Sequence, residues 1–381
     1  MKFLYHSFSS LFLTVCLISA LQAQTSLTRS FVHGGITRNY RIYIPAVYTG
    51  SQPVPLVLNL HGYGSNAFEQ EIYGDFRPIA DTANFILVSP DGTVQPGTTD
   101  TQYWNVAGLF SSSVDDVDFL ETLIDTIDAH YNINRSRVYS AGMSNGGFMG
   151  YLLACESQQF AAIGSVTGSM TTVLYNSCNP AHPVPVIEIH GTADGTVPYN
   201  GVTGVKAIPD VVNFWVTQNN CSPTPTTSNV PDINTTDSAT AEHYLYTGGT
   251  NGHTVEHFKV IGGAHTWPGA VIPIGVTCMD FSASKELWRF FSQYNNPTAG
   301  IAENTNLTWN LWPNPATEQV FLQVPDQQIT DVRIYDMQGR TVYRFSAANI
   351  SSVDVSQLPT GQYLLEASGK GFLLHKKLLV Q

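Results

Sequence analysis

The stretch Val138-Tyr139-Ser140-Ala141-Gly142-Met143-Ser144-Asn145-Gly146-Gly147 decides how the chain is read. A short apolar run enters a Gly-x-Ser-x-Gly turn, and a compact apolar segment from Gly147 to Cys155 leaves it. That order predicts a buried strand, a tight turn and a buried helix. Glycine suits positions 142 and 146 if the turn is strained and crowded, because a side chain at either would collide with its neighbours. Such a turn lifts a serine hydroxyl into a cleft and aims a helix N-terminus at it.

Working outward, similar apolar runs recur. Arg38 to Ile44 alternates and ends at Pro45. Leu56 to Leu60 stops at His61-Gly62, Phe85 to Val88 at Ser89-Pro90-Asp91-Gly92, and Val184 to Ile189 at His190-Gly191. These read as central strands buried on both faces. Between them Val117, Leu120, Ile124, Ile127 and Tyr131 recur at helical spacing, with Asp115 or Asp116 as N-cap. Val211 to Asn219 and Ser284 to Tyr294 read as later helices. The alternation predicts an α/β unit over residues 24–296, with a mainly parallel sheet covered on both sides. Ligands in such sheets bind beyond the carboxyl ends of the strands. His61, Asp91, Ser144 and Asp194 fall at or near those ends.

A serine hydroxyl needs a base to become a nucleophile. The strand–elbow–helix context is that of the α/β-hydrolase fold, in which an acid and then a histidine follow the serine along the chain. Asp194, in His190-Gly191-Thr192-Ala193-Asp194-Gly195, lies just after a strand. Asp210 and Asp280 each adjoin a helix and fit less well. His265, in Gly262-Gly263-Ala264-His265-Thr266-Trp267, lies on the last loop before the final helix. His253 and His257 sit in or near a strand and read as structural or exposed. Ser144, Asp194 and His265 are therefore the expected catalytic set. Backbone N–H groups of Asn145 and Tyr63 are the expected oxyanion donors. His61 reads as a brace for the Tyr63 loop. Trp104 and Trp267 either line the substrate cleft or buttress these loops.

Composition bounds the rest. Of 381 residues, 12% are charged, and the net charge is -12. An acidic chain without a basic run lacks the clustered cations that nucleic acid requires. No cofactor is called for, and no CxxC spacing suggests a metal. Residues 1–23 read as a signal peptide: Lys2, an apolar core from Leu11 to Ile18, and small residues at Ser19, Ala20 and Ala23. Cys16 would suit a lipoprotein signal, but Val15 before it fits poorly. Cys155, Cys178, Cys221 and Cys278 then remain, and an even count in an exported chain favours disulfides over free thiols. Of the three pairings, Cys155–Cys178 with Cys221–Cys278 closes the shortest loops. Residues 297–306 read as a linker. Residues 307–381 carry short strand patterns at Gln319–Val324, Val332–Tyr335, Thr341–Phe345, Tyr363–Ala367 and Leu373–Val380, with turn signals at Gln338-Gly339 and Pro359-Thr360-Gly361. They predict a small β-sandwich.

Two resemblances follow. Arg41-Ile42-Tyr43-Ile44-Pro45, Leu60-His61-Gly62, Tyr103-Trp104-Asn105, Val114 to Phe119, Arg137-Val138-Tyr139 with the elbow, His190 to Asp194, and Gly263 to Gly269 occur in one order. Residues 28–294 thereby resemble secreted polyhydroxybutyrate depolymerases, feruloyl esterases and acetylxylan esterases, the group around carbohydrate esterase family one. The resemblance implies ester hydrolysis through an acyl-enzyme and carries Ser144, Asp194 and His265 over as a triad. The chain departs from the group between Tyr244 and Gly252, where many relatives have a cysteine, which bears on the pairing of Cys221. Leu311-Trp312-Pro313-Asn314-Pro315-Ala316, Val332 to Asp336, Gly339-Arg340, Leu358 to Tyr363 and Lys376-Lys377 resemble the sorting domain of the type IX secretion system. That implies an outer-membrane secretion machinery as partner, removal of the tail, and release or surface attachment. The expected function is a secreted serine esterase acting on feruloyl or acetyl esters of plant polysaccharides. The alternatives are a polyhydroxybutyrate depolymerase or, from another class, a non-catalytic carbohydrate-binding or adhesion protein.

Overall fold

A computed structural model describes residues 25–110, 112–296, 309–325, 327–336, 341–369 and 372–381. The expected signal segment, the linker and the Gln338-Gly339 turn lie outside the described residues. The first hairpin, β1 (Thr25–His33) and β2 (Ile36–Ile44), turns on Gly34 and Gly35, both at positive φ. β3 (Val54–Leu60), α1 (Ala67–Tyr73), α2 (Arg77–Ala83) and β4 (Ile86–Pro90) follow. A ribbon of β5 (Thr93–Val94) and β6 (Gln102–Tyr103) precedes α3 (Asp116–His130). Then come β7 (Ile133–Met143), α4 (Asn145–Glu156), β8 (Ala162–Val166), α5 (Thr172–Ser177) and β9 (Val186–Gly191). α6 (Ile208–Gln218), β10 (Thr226–Asn229), β11 (Thr240–Tyr246), β12 (Val255–Ile261) and α7 (Ala283–Phe291) complete this part.

Ten of these strands form one sheet in the order β1-β2-β4-β3-β7-β8-β9-β12-β11-β10. The run from β4 to β12 is parallel, with antiparallel strands at both edges. Every residue of β3, β4, β8 and β9 is buried, which is why their sequences are apolar without alternation. The pleat divides them between two cores. Leu56, Leu58 and Leu60 face α3, α4 and α6, where Phe119, Leu120, Met149, Val211 and Trp215 pack. Val57 and Leu87 face α2 and α7, where Phe76, Leu287, Phe290 and Phe291 pack.

Of the two candidate caps for α3, Asp115 does the capping, accepting the Asp118 N–H. Asp116 instead meets the buried Arg38 at 2.7 Å, and the guanidinium lies 3.6 Å over the Phe119 ring.

The tail contains β13 (Asn310–Trp312), β14 (Gln319–Gln323), β15 (Ile329–Tyr335), β16 (Thr341–Ser346), β17 (Ser352–Asp354), β18 (Gly361–Gly369) and β19 (Phe372–Val380). A three-stranded sheet, β13-β14-β17, and a four-stranded sheet, β16-β15-β18-β19, share one core that includes Val320, Leu322, Val332, Ile334, Leu365 and Leu378. All five expected tail strands are present. β13 and β17 have only three residues each, too few to leave a periodic signal in the sequence. Among the described residues no helix is long and apolar enough to cross a membrane.

The cysteine expectation holds for one pair and fails for the other. Cys155, in the last turn of α4, is bonded to Cys178, the C-cap of α5. Cys221 and Cys278 are buried free thiols. The sheet itself prevents their pairing: Cys221 belongs to the core on one face and Cys278 to the core on the other. Cys221 donates weakly to the His253 carbonyl, and Cys278 to the Asp280 carboxylate, each at 3.6 Å. Alkylation of the denatured, unreduced protein followed by peptide mapping should therefore label Cys221 and Cys278, and label Cys155 and Cys178 only after reduction. Replacing Cys155 and Cys178 by alanine should cost about 3 kcal/mol in denaturant unfolding, the chain-entropy value for a loop of this size.

Candidate active site

The elbow is built as its glycines require. β7 ends and α4 begins around Ser144, whose φ of 53° lies in the left-handed region. A non-glycine residue there is strained, and the surroundings must hold it. The Ser144 N–H donates to the Val166 carbonyl on β8 at 2.8 Å. A Cβ at Gly142 would lie 2.3 Å from the Gly146 carbonyl oxygen, and one at Gly146 would lie 2.3 Å from that of Leu60 on β3. The turn thus has no room for side chains on its inner face. Ser144 itself remains partly exposed at the α4 N-terminus.

The two downstream candidates come from the next strands along the sheet. β7, β8, β9 and β12 are consecutive parallel neighbours, so their carboxyl ends share one edge. The loops after β9 and β12 touch backbone to backbone. Thr192 N–H donates to Val260 O at 2.8 Å and Ala193 N–H to Gly263 O at 2.9 Å. Side chain follows backbone: His265 Nδ1 lies 2.7 Å from Asp194 Oδ2. The other Asp194 oxygen accepts the Thr196 and Val197 N–H groups, each at 2.8 Å. Burial alone would push the Asp194 carboxyl up, but hydrogen bonds from His190 and His265 outweigh it and hold the group well below the usual carboxylate range. The structure joins Asp194 to His265 directly. Ser144 shares their edge and, among the described residues, makes no hydrogen bond to His265. Asp210 pairs with Lys206 on the surface, and Asp280 accepts the Ile233 and Asn234 N–H groups, so neither competes for this position.

The loop after β3 closes the other side. A Cβ at Gly62 would sit 3.4 Å from the Ser144 Cβ, so Tyr63 follows directly beside the serine. Tyr63 is half exposed, and its ring stacks on Phe110 at 5.5 Å. Among the described residues neither the Tyr63 nor the Asn145 backbone N–H has a hydrogen-bond partner, which leaves both available to an oxyanion. His61 braces the loop: its Nδ1–H donates to Gly62 O at 2.7 Å, and its Nε2 accepts the Gly92 N–H at 2.8 Å. Burial pushes this imidazole down to about 4, so it stays neutral.

Both tryptophans turn out to be buttresses, which corrects the cleft-lining alternative. Trp104 is fully buried, and its indole N–H donates to His61 O at 3.0 Å. Trp267 is 1% exposed, and its indole N–H donates to Ser284 Oγ at 3.1 Å. Both rings are spent on loop packing and present no face to a ligand. Two partnerships were not visible in the sequence. The Asn145 side chain clamps Trp104 through both its amide atoms, at 2.7 and 3.1 Å. Glu188 and His190 form a buried pair behind Asp194. Their only sequence signal was two polar residues at alternate positions of an otherwise apolar central strand.

Comparison with known proteins identifies the fold and the tail. Residues 44–246 match the phospholipase/carboxylesterase family, and residues 310–381 match the secretion system C-terminal sorting domain. A putative esterase, NocK, of Nocardia uniformis subsp. tsuyamanensis is 28% identical over 274 residues, covering 65% of this chain and 76% of that protein. The bifunctional acetylxylan esterase/xylanase XynS20E of Neocallimastix patriciarum is 26% identical over 288 residues, covering 74% of this chain and 37% of that protein. Feruloyl esterase B of Piromyces equi is 28% identical over 186 residues, 48% of this chain and 34% of that protein. The chain thus spans only about a third of the length of these last two. The solved acetyl xylan esterase from Aspergillus awamori superposes with a TM-score of 0.51 at 14% identity, over 70% of this chain and 99% of that one, which shows a shared fold. With just over half of its 381 residues matched by one family, the chain belongs to the phospholipase/carboxylesterase family of α/β-hydrolases.

Proposed function

We propose that the protein is a secreted serine esterase that cleaves feruloyl or acetyl esters of plant polysaccharides through an acyl-enzyme. The observation that carries this reading is the Asp194–His265 hydrogen bond at the sheet edge where the Ser144 elbow stands. In the first half-reaction Ser144 Oγ attacks the ester carbonyl carbon while His265 Nε2 takes its proton. Asp194 holds the imidazole with Nδ1–H toward itself and stabilises the imidazolium. The oxyanion accepts the Tyr63 and Asn145 N–H groups, with the α4 N-terminus behind them. The bond to the sugar oxygen breaks, and that oxygen takes the proton from His265. Water then repeats the sequence on the acyl-serine and releases the acid.

A polar cleft of about 470 Å³, which Gly64 beside Tyr63 helps to line, favours a sugar-bearing substrate. Arg41 of β2, Asn66 and Glu69 at the start of α1, Asp91 after β4, and Asp100 and Gln102 at the β6 ribbon line it, together with Gly64. Such a lining suits hydroxyl groups better than a polyester chain. A second reading, poly(3-hydroxybutyrate), is favoured by one feature: Val271, Ile272 and Ile274 are exposed on the loop that follows His265. For the tail, the sorting-domain match supports export by the type IX machinery and removal of residues 307–381; Lys2, the apolar run from Leu11 to Ile18 and Ala23 support a signal peptide over 1–23. The esterase unit would then be residues 24–296.

Ser144→Ala should lower turnover of short-chain p-nitrophenyl esters by more than about 10⁴-fold with the fold intact by circular dichroism. Unchanged turnover would leave the non-catalytic binding role standing instead. Incubating the enzyme with feruloylated arabinoxylan, acetylxylan and a polyhydroxybutyrate film, and identifying the released acid, separates the substrates; ferulate or acetate is the expected product. Trp104→Phe should cost about 1–2 kcal/mol of stability through the lost indole hydrogen bond and lower kcat while leaving KM nearly unchanged. A raised KM at constant kcat would return Trp104 to the cleft.

A further inference from the structure

Behind Asp194 stands a second histidine that the reaction above does not use. His190 and Glu188 lie two apart on β9, so they share one face, and both side chains are fully buried. His190 Nδ1 is 2.9 Å from Glu188 Oε1. The other Glu188 oxygen accepts the Tyr151 hydroxyl from α4 at 2.6 Å. On its far side His190 Nε2 lies 2.8 Å from Val197 O and 3.3 Å from Asp194 Oδ2. A continuous chain therefore runs Tyr151, Glu188, His190, Asp194, His265.

The proton positions follow from the partners. Nε2 faces the Val197 carbonyl and the Asp194 carboxylate, both acceptors, which favours hydrogen on that nitrogen. Nδ1 faces a carboxylate, so a proton must lie between them as well. Burial would lower the affinity of this imidazole for its second proton, but Asp194 and Glu188 outweigh burial and raise it to about 9. Burial pushes the Glu188 carboxyl up while its bonds from His190 and Tyr151 pull it back, so the pair shares a proton across the 2.9 Å contact and the imidazole carries cationic character beside Asp194. Among the described residues the other titratable groups packed against it, Tyr199 and His257, add no compensating charge, and burial raises the Tyr199 hydroxyl well above its ordinary range. His257 on β12 is pushed down to about 3 by burial, donates from Nδ1 to Glu188 O, and meets the Tyr199 hydroxyl at Nε2. Asp194 is then fully engaged: Thr196 and Val197 on one oxygen, His190 and His265 on the other.

We propose that Glu188 and His190 are positioning residues for the hydrolysis: the imidazole, anchored by Glu188, fixes the Asp194 carboxylate against rotation and offsets part of its charge at His265. This rests on the reading of Ser144, Asp194 and His265 as the triad. The offset has a sign. Without the buried cation, Asp194 acts on His265 as a fuller negative charge and favours the imidazolium. The acid limb of the kcat/KM profile, which reports loss of the neutral base, must then move to higher pH.

The test uses Glu188→Gln and His190→Gln, which keep volume and hydrogen-bonding capacity but remove the charge. Folding is checked by circular dichroism and thermal melting, and pH profiles are measured on a p-nitrophenyl ester. We expect kcat to fall about 10-fold with KM within about twofold of the parent. We expect the acid limb to rise by about half a pH unit. A purely structural role would not move that limb. Folded variants with the parent kcat and the parent limb would overturn the proposal. If neither glutamine variant folds, Tyr151→Phe decides: it strips one donor from Glu188, so that this carboxylate draws the shared proton away from His190, weakens the cation beside Asp194, and should move the limb the same way by less, whereas an unmoved limb rejects the proposal. A Ser144→Ala control separates the two levels. Activity in that control sinks the triad itself; an inactive control beside unaffected Glu188→Gln sinks only the present inference.

Discussion

The catalytic edge of this molecule depends on one backbone approach. Where β7 turns into α4, the chain passes so close to the end of β3 that a Cβ at Gly146 would reach within 2.3 Å of the Leu60 carbonyl. That crowding forces the turn, and the turn forces Ser144 into a left-handed conformation that a serine would not adopt unaided. The strain is held from three sides: β8 through Val166, β3 through Leu60, and the packed helix that follows. In exchange the hydroxyl stands proud of the sheet. Its neighbour Asn145 points inward and clamps Trp104, whose indole in turn grips the His61 carbonyl. The elbow and the Tyr63 loop are thereby fixed to one another through two buried side chains.

Much of this was legible in the sequence because the signals were strong and local. Leu56 to Leu60 is buried at every residue, so its continuous apolar run could only be a central strand. The order Ser144, Asp194, His265 could be read because each follows a strand. What the sequence concealed were matters of facing. Trp104 and Trp267 occupy the right loops, but nothing in their spacing says that both rings turn inward. Cys221 and Cys278 are close enough in sequence to suggest a bridge, yet α6 and α7 lie on opposite faces of the sheet and leave one thiol in each core. β8 and the short helices α1, α2 and α5 left no clear periodicity, since five to seven residues scarcely complete a pattern.

Few charges are present, and several of them are buried. Arg38 with Asp116 fastens β2 to the start of α3 and, through the other Asp116 oxygen, holds the Asn105 N–H beside Trp104. Glu188 with His190 backs Asp194. Buried pairs of this kind add little net stability over apolar packing, and breaking one partner is costly. Their value here is placement, since each ends on a loop that shapes the candidate site. The tail follows a different logic. Its core residues form a cluster of their own, so its sheets do not draw on the hydrolase core for their burial.

The central claim is that Ser144 is the residue that becomes acylated. It is tested most directly by treating the folded protein with a fluorophosphonate and mapping the adduct by peptide mass spectrometry. The account requires one stoichiometric adduct on Ser144, absent when the protein is first unfolded. A folded protein that takes no label, or takes it on another residue, would contradict it.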